Sequence, residues 1–372
     1  MKFVVSSAVL SKQLTAISGV IVSNPIVPIL ENFLFEVEQG QLLITASDLQ
    51  TFVTARLSVD TQEEASVAIP ARILIDTLKN LPEQPITFTI DPGTYSVEIN
   101  ASNGHYRLAG ENATDFPKLM PVTNGISVEI PANTLKRAIS QTIVAVGNDE
   151  LRPAINGIHV DFQEQGVTFV ATDAHRLVRH TRSDIGVATQ QPLLIPEKTL
   201  KIFNSLLQAG EEYVDIAFND HHVHFQLSGI SMISRLIHER YPDYENVIPA
   251  HNPNELVIDR LALLSSLKRI AIYANKTTCQ VKLGMSPGDL LQVFAEDFEF
   301  SNEASEQLTC EYKGEALETG FNAKLFMELL NSIHSNEIVM RFSEPSKAVL
   351  IFPLEKEEAE DTLLLIMPII AK

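Results

Sequence analysis

At 372 residues with 45% hydrophobic side chains, the chain allows roughly two to four domains with cores of their own, and its longest apolar run, Leu363 to Ala371, is too short to span a membrane and contains Pro368. The net charge of −19 is spread rather than gathered in a tail: residues 1–125 carry 7 basic and 13 acidic groups, residues 126–252 carry 10 and 15, and residues 253–372 carry 11 and 19. As a total, that acidity argues against nucleic-acid binding, because phosphate contacts need Lys and Arg, but binding follows where charge sits rather than its sum.

The chain opens on a strand, Lys2-Phe3-Val4-Val5, followed by a helical pattern with Leu10, Leu14, Ile17 and Ile21 on one face. Leu42 to Ala46 alternates as a strand. Val67-Ala68-Ile69-Pro70 leads a second helix bearing Ile73, Leu74, Thr77 and Leu78, which runs into strands at Ile86 to Ile90 and Thr94 to Ile99. Glu111 to Pro121 contains Pro117 and Pro121 and is helix-poor; it reads as a semi-rigid linker packed by Phe116. The pattern then restarts. Val128-Glu129-Ile130-Pro131 precedes a helix bearing Leu135, Ile139, Ile143 and Val146, and Val167 to Ala171 is a strand. Leu193-Leu194-Ile195-Pro196 leads a helix with Leu200, Phe203, Asn204 and Leu207, followed by strands at Val214 to Phe218 and Val223 to Leu227. A second linker, Arg240 to Pro249, is anchored by Tyr241 and Tyr244. The third copy opens at Leu256-Val257-Ile258-Asp259 with a helix bearing Leu263, Leu267, Ile270 and Ala274. Glu318 to Asn322 then leads a helix with Leu325, Phe326, Leu329 and Ile333, followed by a strand at Ile338 to Phe342. The aliphatic tail from Leu363 to Ile370 reads as an edge strand.

Leu74, Leu200 and Phe326 recur at intervals of 126 residues, a period of a repeated domain rather than of a solenoid unit. The expectation is α+β: three similar domains, 1–125, 126–252 and 253–372, each with two helices packed on an antiparallel sheet. The outer faces of the six helices concentrate the scarce basic residues: Lys12, Arg72, Lys79, Lys136, Arg137, Lys198, Lys201, Lys268, Arg269 and Lys324. A solvated helix face and a phosphate-facing surface both fit that pattern, and its recurrence on every helix brings the two readings close to even.

Chemistry-bearing motifs are sparse. Cys279 and Cys310 cannot form a disulfide framework, no Cys/His spacing suits zinc, and no cofactor is expected. A reducing cytoplasm follows as the simple expectation, and the first ten residues lack the layout of a signal peptide. Asp173 and His175 are close in sequence, but no nucleophile elbow, phosphate loop or metal spacing accompanies them, so a turn is the better reading than an acid/base pair. His222 and His224 share a strand face without an evident third metal ligand.

Several phrases share one resemblance. Ala171-Thr172-Asp173-Ala174-His175-Arg176-Leu177, Tyr241 to Pro249, Pro25 to Asn32 and the ending Leu365-Ile366-Met367-Pro368-Ile369 resemble segments of the bacterial β sliding clamp family, the DNA polymerase III β subunits, in order along the whole chain. The resemblance implies a head-to-tail homodimer that closes into a six-domain ring around double-stranded DNA, with the helices and their ten basic residues facing the hole. It implies a non-enzymatic processivity factor whose partners are the DNA polymerase III alpha subunit, the clamp loader and other proteins with clamp-binding motifs, without membrane attachment. Carried over, the partner-peptide pocket would use Ile155, Thr172, Ala174, His175, Arg176, Leu177, Pro242 and Val247, with Asn322, Leu325, Ala348, Ile366, Met367, Pro368 and Ile369. Arg176 and Asn322 would hydrogen-bond the peptide backbone. The dimer contact would use Tyr106, Ile272 and Tyr273. The chain departs from the family pattern at Asn24, Asn148-Asp149 and Pro153-Ala154, in loops near DNA, and at Asn246 in the second linker. A protein-interaction scaffold that never encloses DNA is the alternative.

Overall fold

The computed structural model describes residues 2–23, 26–61, 63–118, 121–123, 125–187, 191–207 and 212–369. Asn24, two linker residues (Leu119 and Met120) and the last three residues of the tail lie outside them. Among the described residues there are six α-helices: α1 (Ser7–Ile17), α2 (Ala71–Lys79), α3 (Ala132–Thr142), α4 (Glu197–Leu206), α5 (Arg260–Ile270) and α6 (Ala323–Ser332). Each third of the chain runs strand, helix, four strands, helix, three strands, so the repeat seen in sequence is a repeat of whole domains.

The contacts gather the chain into two compact units, Met1–Thr134 with Lys198–Leu236 and Leu135–Glu197 with Ile237–Lys372. The middle third is divided because its strands join two different sheets. In the first unit, an antiparallel four-stranded sheet runs Lys2–Ser6, Pro85–Ile90, Ser96–Ala101, Gly104–Ala109. An eight-stranded sheet combines four strands of the first third with four of the second, meeting where Thr51–Ser58 pairs with Ile230–Arg235. Phe3 stacks on Phe88 at 4.9 Å beneath α1, whose Leu10, Leu14 and Ile17 are fully buried, and α1 packs against α2. The seam is locked by polar side chains. Thr51, Thr199 and Ser234 form a buried hydroxyl cluster, with Thr199 Oγ1 and Ser234 Oγ 2.7 Å apart, and Lys198 pairs with Asp48.

The second unit repeats the arrangement. Its twelve-stranded sheet joins four strands of the middle third to eight of the last third where Arg176–Arg182 pairs with Glu360–Ile366. Behind this seam lies a charge network built around the buried Glu360. Arg137 of α3 meets Glu357 at 2.7 Å and Glu360 at 2.9 Å, and Arg182 meets Glu357 at 2.6 Å and Asp184 at 2.7 Å. Glu360 is almost wholly buried, so its charge depends on these guanidinium partners. His180, fully buried beside it, pairs through Nδ1 with Thr362 Oγ1 at 2.8 Å.

The first helix of each copy is shorter than the apolar periodicity suggests. α1, α3 and α5 each end in a single 3₁₀ turn, Ser18–Val20, Ile143–Ala145 and Ala271–Tyr273. The turn tightens the step from 3.6 to about 3 residues, so Ile21, Val146 and Ala274 lie beyond the helices expected to carry them. On α2, Leu74 and Leu78 are buried as expected, but Ile73 is 51% exposed.

Burial depresses the His180 pKa to about 4, a shift that the Glu360 carboxylate opposes and Arg182, Arg137 and Glu357 modulate. The unfolded chain therefore takes up a proton that the folded chain refuses between pH 6.5 and about 4, and stability falls as pH drops through that window. Chemical denaturation at pH 7 and pH 5 is expected to show a loss of about 2 kcal/mol from this residue, and His180→Asn is expected to flatten that part of the pH dependence.

Candidate functional site

A cleft of about 900 Å³ opens on the second unit. Its floor is the seam between the two halves of the sheet, where Leu177 pairs with Leu365 over a core of Val170, Ala348, Leu350 and Leu363. One wall is the linker that follows Arg240. Tyr241 and Tyr244 pack on the same core, His159 stacks on Tyr241 at 4.7 Å, and the Tyr241 hydroxyl donates to the Val170 carbonyl at 3.4 Å. This fixes Pro242 and Val247 over the cleft, with Val247 left 55% exposed. The loop Leu151-Arg152-Pro153-Ala154 forms the opposite rim, and Met367, 39% exposed, lines the cleft just beyond the last strand.

The turn before Arg176 shapes the cleft through its hydrogen bonds. The Asp173 carboxylate accepts the N–H groups of His175 and Arg176, both at 2.9 Å, and Arg176 Nε donates to it at 3.0 Å. Thr172 Oγ1 donates to the Arg176 carbonyl at 2.7 Å, and Ala174 takes φ 72° at the tip. An Asp so occupied is a turn former, as the sequence suggests. The first copy has the same turn: Asp48 accepts the N–H groups of Gln50 and Thr51, and Leu49 takes φ 77°.

Of the residues expected in the pocket, Ile155, Thr172, Ala174, Arg176, Leu177, Pro242, Val247, Ala348 and Met367 line the cleft. The others serve the frame. The His175 carbonyl accepts the Met367 N–H at 2.8 Å, while Ile369 donates to the Gly320 carbonyl and accepts from Gln280. Pro368 follows Met367 in this tail and is partly buried, without lining the cleft. Asn322 caps α6, accepting from the N–H groups of Lys324 and Leu325. Leu325 contributes its carbonyl to Arg176 Nη1 at 3.3 Å, and Glu328 accepts from the same nitrogen at 2.7 Å. The hydrogen bonds that Arg176 and Asn322 make in this structure tie the turn to α6 and start that helix. Ile366 is buried, and Leu365 reaches the cleft instead, because neighbouring strand residues face opposite sides. Sequence reasoning missed Leu365, Tyr244, Ser346, Lys347 and the 151–154 loop. Strand parity could have pointed to Leu365; the loop carries no periodic signal. Pro153 and Ala154, in a loop assigned by resemblance to the neighbourhood of DNA, line the cleft.

The helix faces are a second candidate surface. Lys12, Arg72, Lys79, Lys136, Lys198, Lys201, Lys268, Arg269 and Lys324 are exposed. Arg137 departs from the expectation, since it is held by Glu357 and Glu360; among the exposed members Lys198 pairs with Asp48, and Arg269 with both oxygens of Glu306 at 2.7 and 2.6 Å. Tyr106 is partly covered on strand Gly104–Ala109, whereas Ile272 is 77% and Tyr273 44% exposed. His224, which shares a strand face with His222, pairs with Ser231 Oγ at 2.8 Å.

Models of the DNA polymerase III beta subunit match the chain in order: the N-terminal domain over residues 1–120, the central domain over 129–243 and the C-terminal domain over 245–369. The chain is 28% identical to the beta sliding clamp of Synechocystis sp., over 95% of this chain and 96% of that protein, and 26% identical to that of Vibrio cholerae, over 99% and 100%. Among solved structures it resembles a sliding clamp of Pseudomonas aeruginosa bound to griselimycin, with a TM-score of 0.94, 27% identity and full coverage of both chains. It also shares the fold of the Bacillus subtilis DNA polymerase sliding clamp, with a TM-score of 0.95 at 23% identity and full coverage of both chains.

Asp173→Ala removes the acceptor for two backbone N–H groups and for the Arg176 guanidinium. A stability loss of about 1–3 kcal/mol is expected by chemical denaturation.

Proposed function

Because the chain belongs to the DNA polymerase III beta subunit family, we propose that it is a DNA sliding clamp, a ring that encloses duplex DNA without reading its sequence and tethers the replicative polymerase to it. The observation that carries the ring is a pairing rule met at both seams. Strand Thr51–Ser58 of the first third pairs with the last strand of the second, and Arg176–Arg182 of the second pairs with the last strand of the third. Applied once more, the rule leaves two strands to be matched. Gly104–Ala109 pairs with Ser96–Ala101 on one edge, and residues 302–309 pair only with Gly288–Asp297 among the described strands. Open strand edges invite pairing, and a second copy joined head to tail would satisfy both.

Two chains of three domains, 1–125, 126–252 and 253–372, then make a ring of six. Ile272 and Tyr273 would lie against the second copy's first domain near Tyr106, as the equivalent turn Ile143–Ala145 lies against α6. The exposed helix cations would face the hole and the acidic excess the outside. Loose, water-filled phosphate contacts suit sliding, because topology rather than affinity retains the DNA. The cleft is an apolar slot framed by fixed backbone, suited to short apolar motifs of the polymerase alpha subunit, the clamp loader and other partners. The protein acts in the cytoplasm and catalyses nothing: Asp173 and His175 serve a turn.

Val247→Asp and Met367→Ala, at exposed positions of the cleft, are expected to weaken binding of a clamp-motif peptide at least about tenfold without changing the oligomer. Undiminished binding by fluorescence anisotropy would remove the cleft from this role. Charge reversal at Lys12, Lys136 and Lys268 is expected to shorten residence on closed circular DNA severalfold while peptide binding persists. Equal retention on linear and closed circles by the unaltered protein would refute the ring itself.

A further inference from the structure

Resting on the ring reading, we infer that the joint between two copies is closed by an apolar lock, Phe298 and Phe300 of one chain seated over Arg72 and Ile73 of the next. The internal seams define the geometry. At the first, the Gln50 carbonyl accepts the Arg235 N–H at 2.9 Å; at the second, the His175 carbonyl accepts the Met367 N–H at 2.8 Å. The hairpin registers Ser47↔Phe52, Thr172↔Leu177 and Asp297↔Asn302 align the three turns. Asp48 and Asp173 then correspond to Phe298, and Gln50 and His175 to Phe300.

The chemistry changes at the third turn. Where the first two carry a turn-forming Asp, the third carries Phe298, 87% exposed, and Phe300 is 65% exposed; this turn is held instead by Asp297, whose carboxylate accepts the Glu299 N–H, and its positive φ falls at Ser301. The receiving surface changes in the same sense. The 126-residue repeat places Arg72 where the first seam has Lys198, Ile73 where it has Thr199, and Leu108 where it has Ser234. The ion pair of Lys198 with Asp48 becomes a cation facing an aromatic ring, and two of the three hydroxyl positions, those of Thr199 and Ser234, become aliphatic, while Ser301 stands at the position of Thr51. Ile73 is 51% exposed, and a groove of about 620 Å³ lined by Pro70, Arg72, Ile73, Thr77 and Tyr106 lies beside it. Large apolar groups are thus exposed at both positions that the rule brings together, and a second copy covers both at once.

Sedimentation equilibrium of the full chain tests this. Phe298→Asp/Phe300→Asp and, separately, Ile73→Asp alter exposed side chains, and circular dichroism checks that each variant folds. Each is expected to raise the dimer dissociation constant at least about tenfold. Mixing the two variants is expected to restore part of the dimer, because a mixed ring regains one unaltered joint. Variants that dimerise like the unaltered protein would overturn the lock and leave the ring standing, as would loosened dimers that mixing does not rescue. An unaltered chain that stays monomeric at tens of micromolar would overturn the ring and the lock together.

Discussion

Strand pairing across the repeat boundaries is the constraint on which the rest of the structure depends. A domain with two four-stranded half-sheets has edges to satisfy, and unpaired backbone groups are costly or adhesive. Here the edges are satisfied by the neighbouring repeat. Thr51–Ser58 hydrogen-bonds to Ile230–Arg235, and Arg176–Arg182 to Glu360–Ile366, in full antiparallel register. The same fact explains why the compact units do not follow the sequence thirds: the middle repeat contributes a half-sheet to each.

Each seam is reinforced by a different set of side chains on the same frame. The first uses hydroxyls and one ion pair, Lys198 with Asp48. The second uses charge: Arg176 with Asp173 and Glu328 at one end, and Arg137 and Arg182 with Glu357 and Glu360 at the other. Burying Glu360 is tolerable only because two guanidinium groups surround it, so these arginines hold the seam together. The cleft lies over this second seam, which gives it a rigid floor. A site that receives short flexible segments gains from such a frame, because less of the binding energy is lost to ordering the protein.

Charge carries a related lesson. The net charge of −19 would mislead a reading based on totals. Exposed cations recur on the helix faces of an acidic chain, and a surface needs only a local excess to hold a polyanion loosely. The structure also gives some of these cations local partners. Arg137 is structural, and Arg269 is held by a carboxylate fork from Glu306. Type and spacing did not distinguish these from Lys12 or Lys136.

The amino-acid sequence by itself determined the repeat, the order of strands and helices and the apolar faces, because periodicity is local: Leu10, Leu135 and Leu263 announce the same helix three times. It also identified Asp173 as a turn former, since an Asx turn is closed within a few residues. Strand parity and helix ends were less legible. Ile366 was chosen where Leu365 faces the cleft, and Ile21 was placed on a helix that tightens into a 3₁₀ turn, because neither the phase of a strand nor the switch from four-residue to three-residue steps leaves a strong compositional mark. Only the tertiary structure decided which edges meet, that Asn322 caps α6 and Arg176 ties the turn to it, that Arg137 meets Glu360, and that loop 151–154 borders the cleft. Those outcomes depend on groups far apart in the chain, whose meeting is set by sheet register rather than by any residue's own preference.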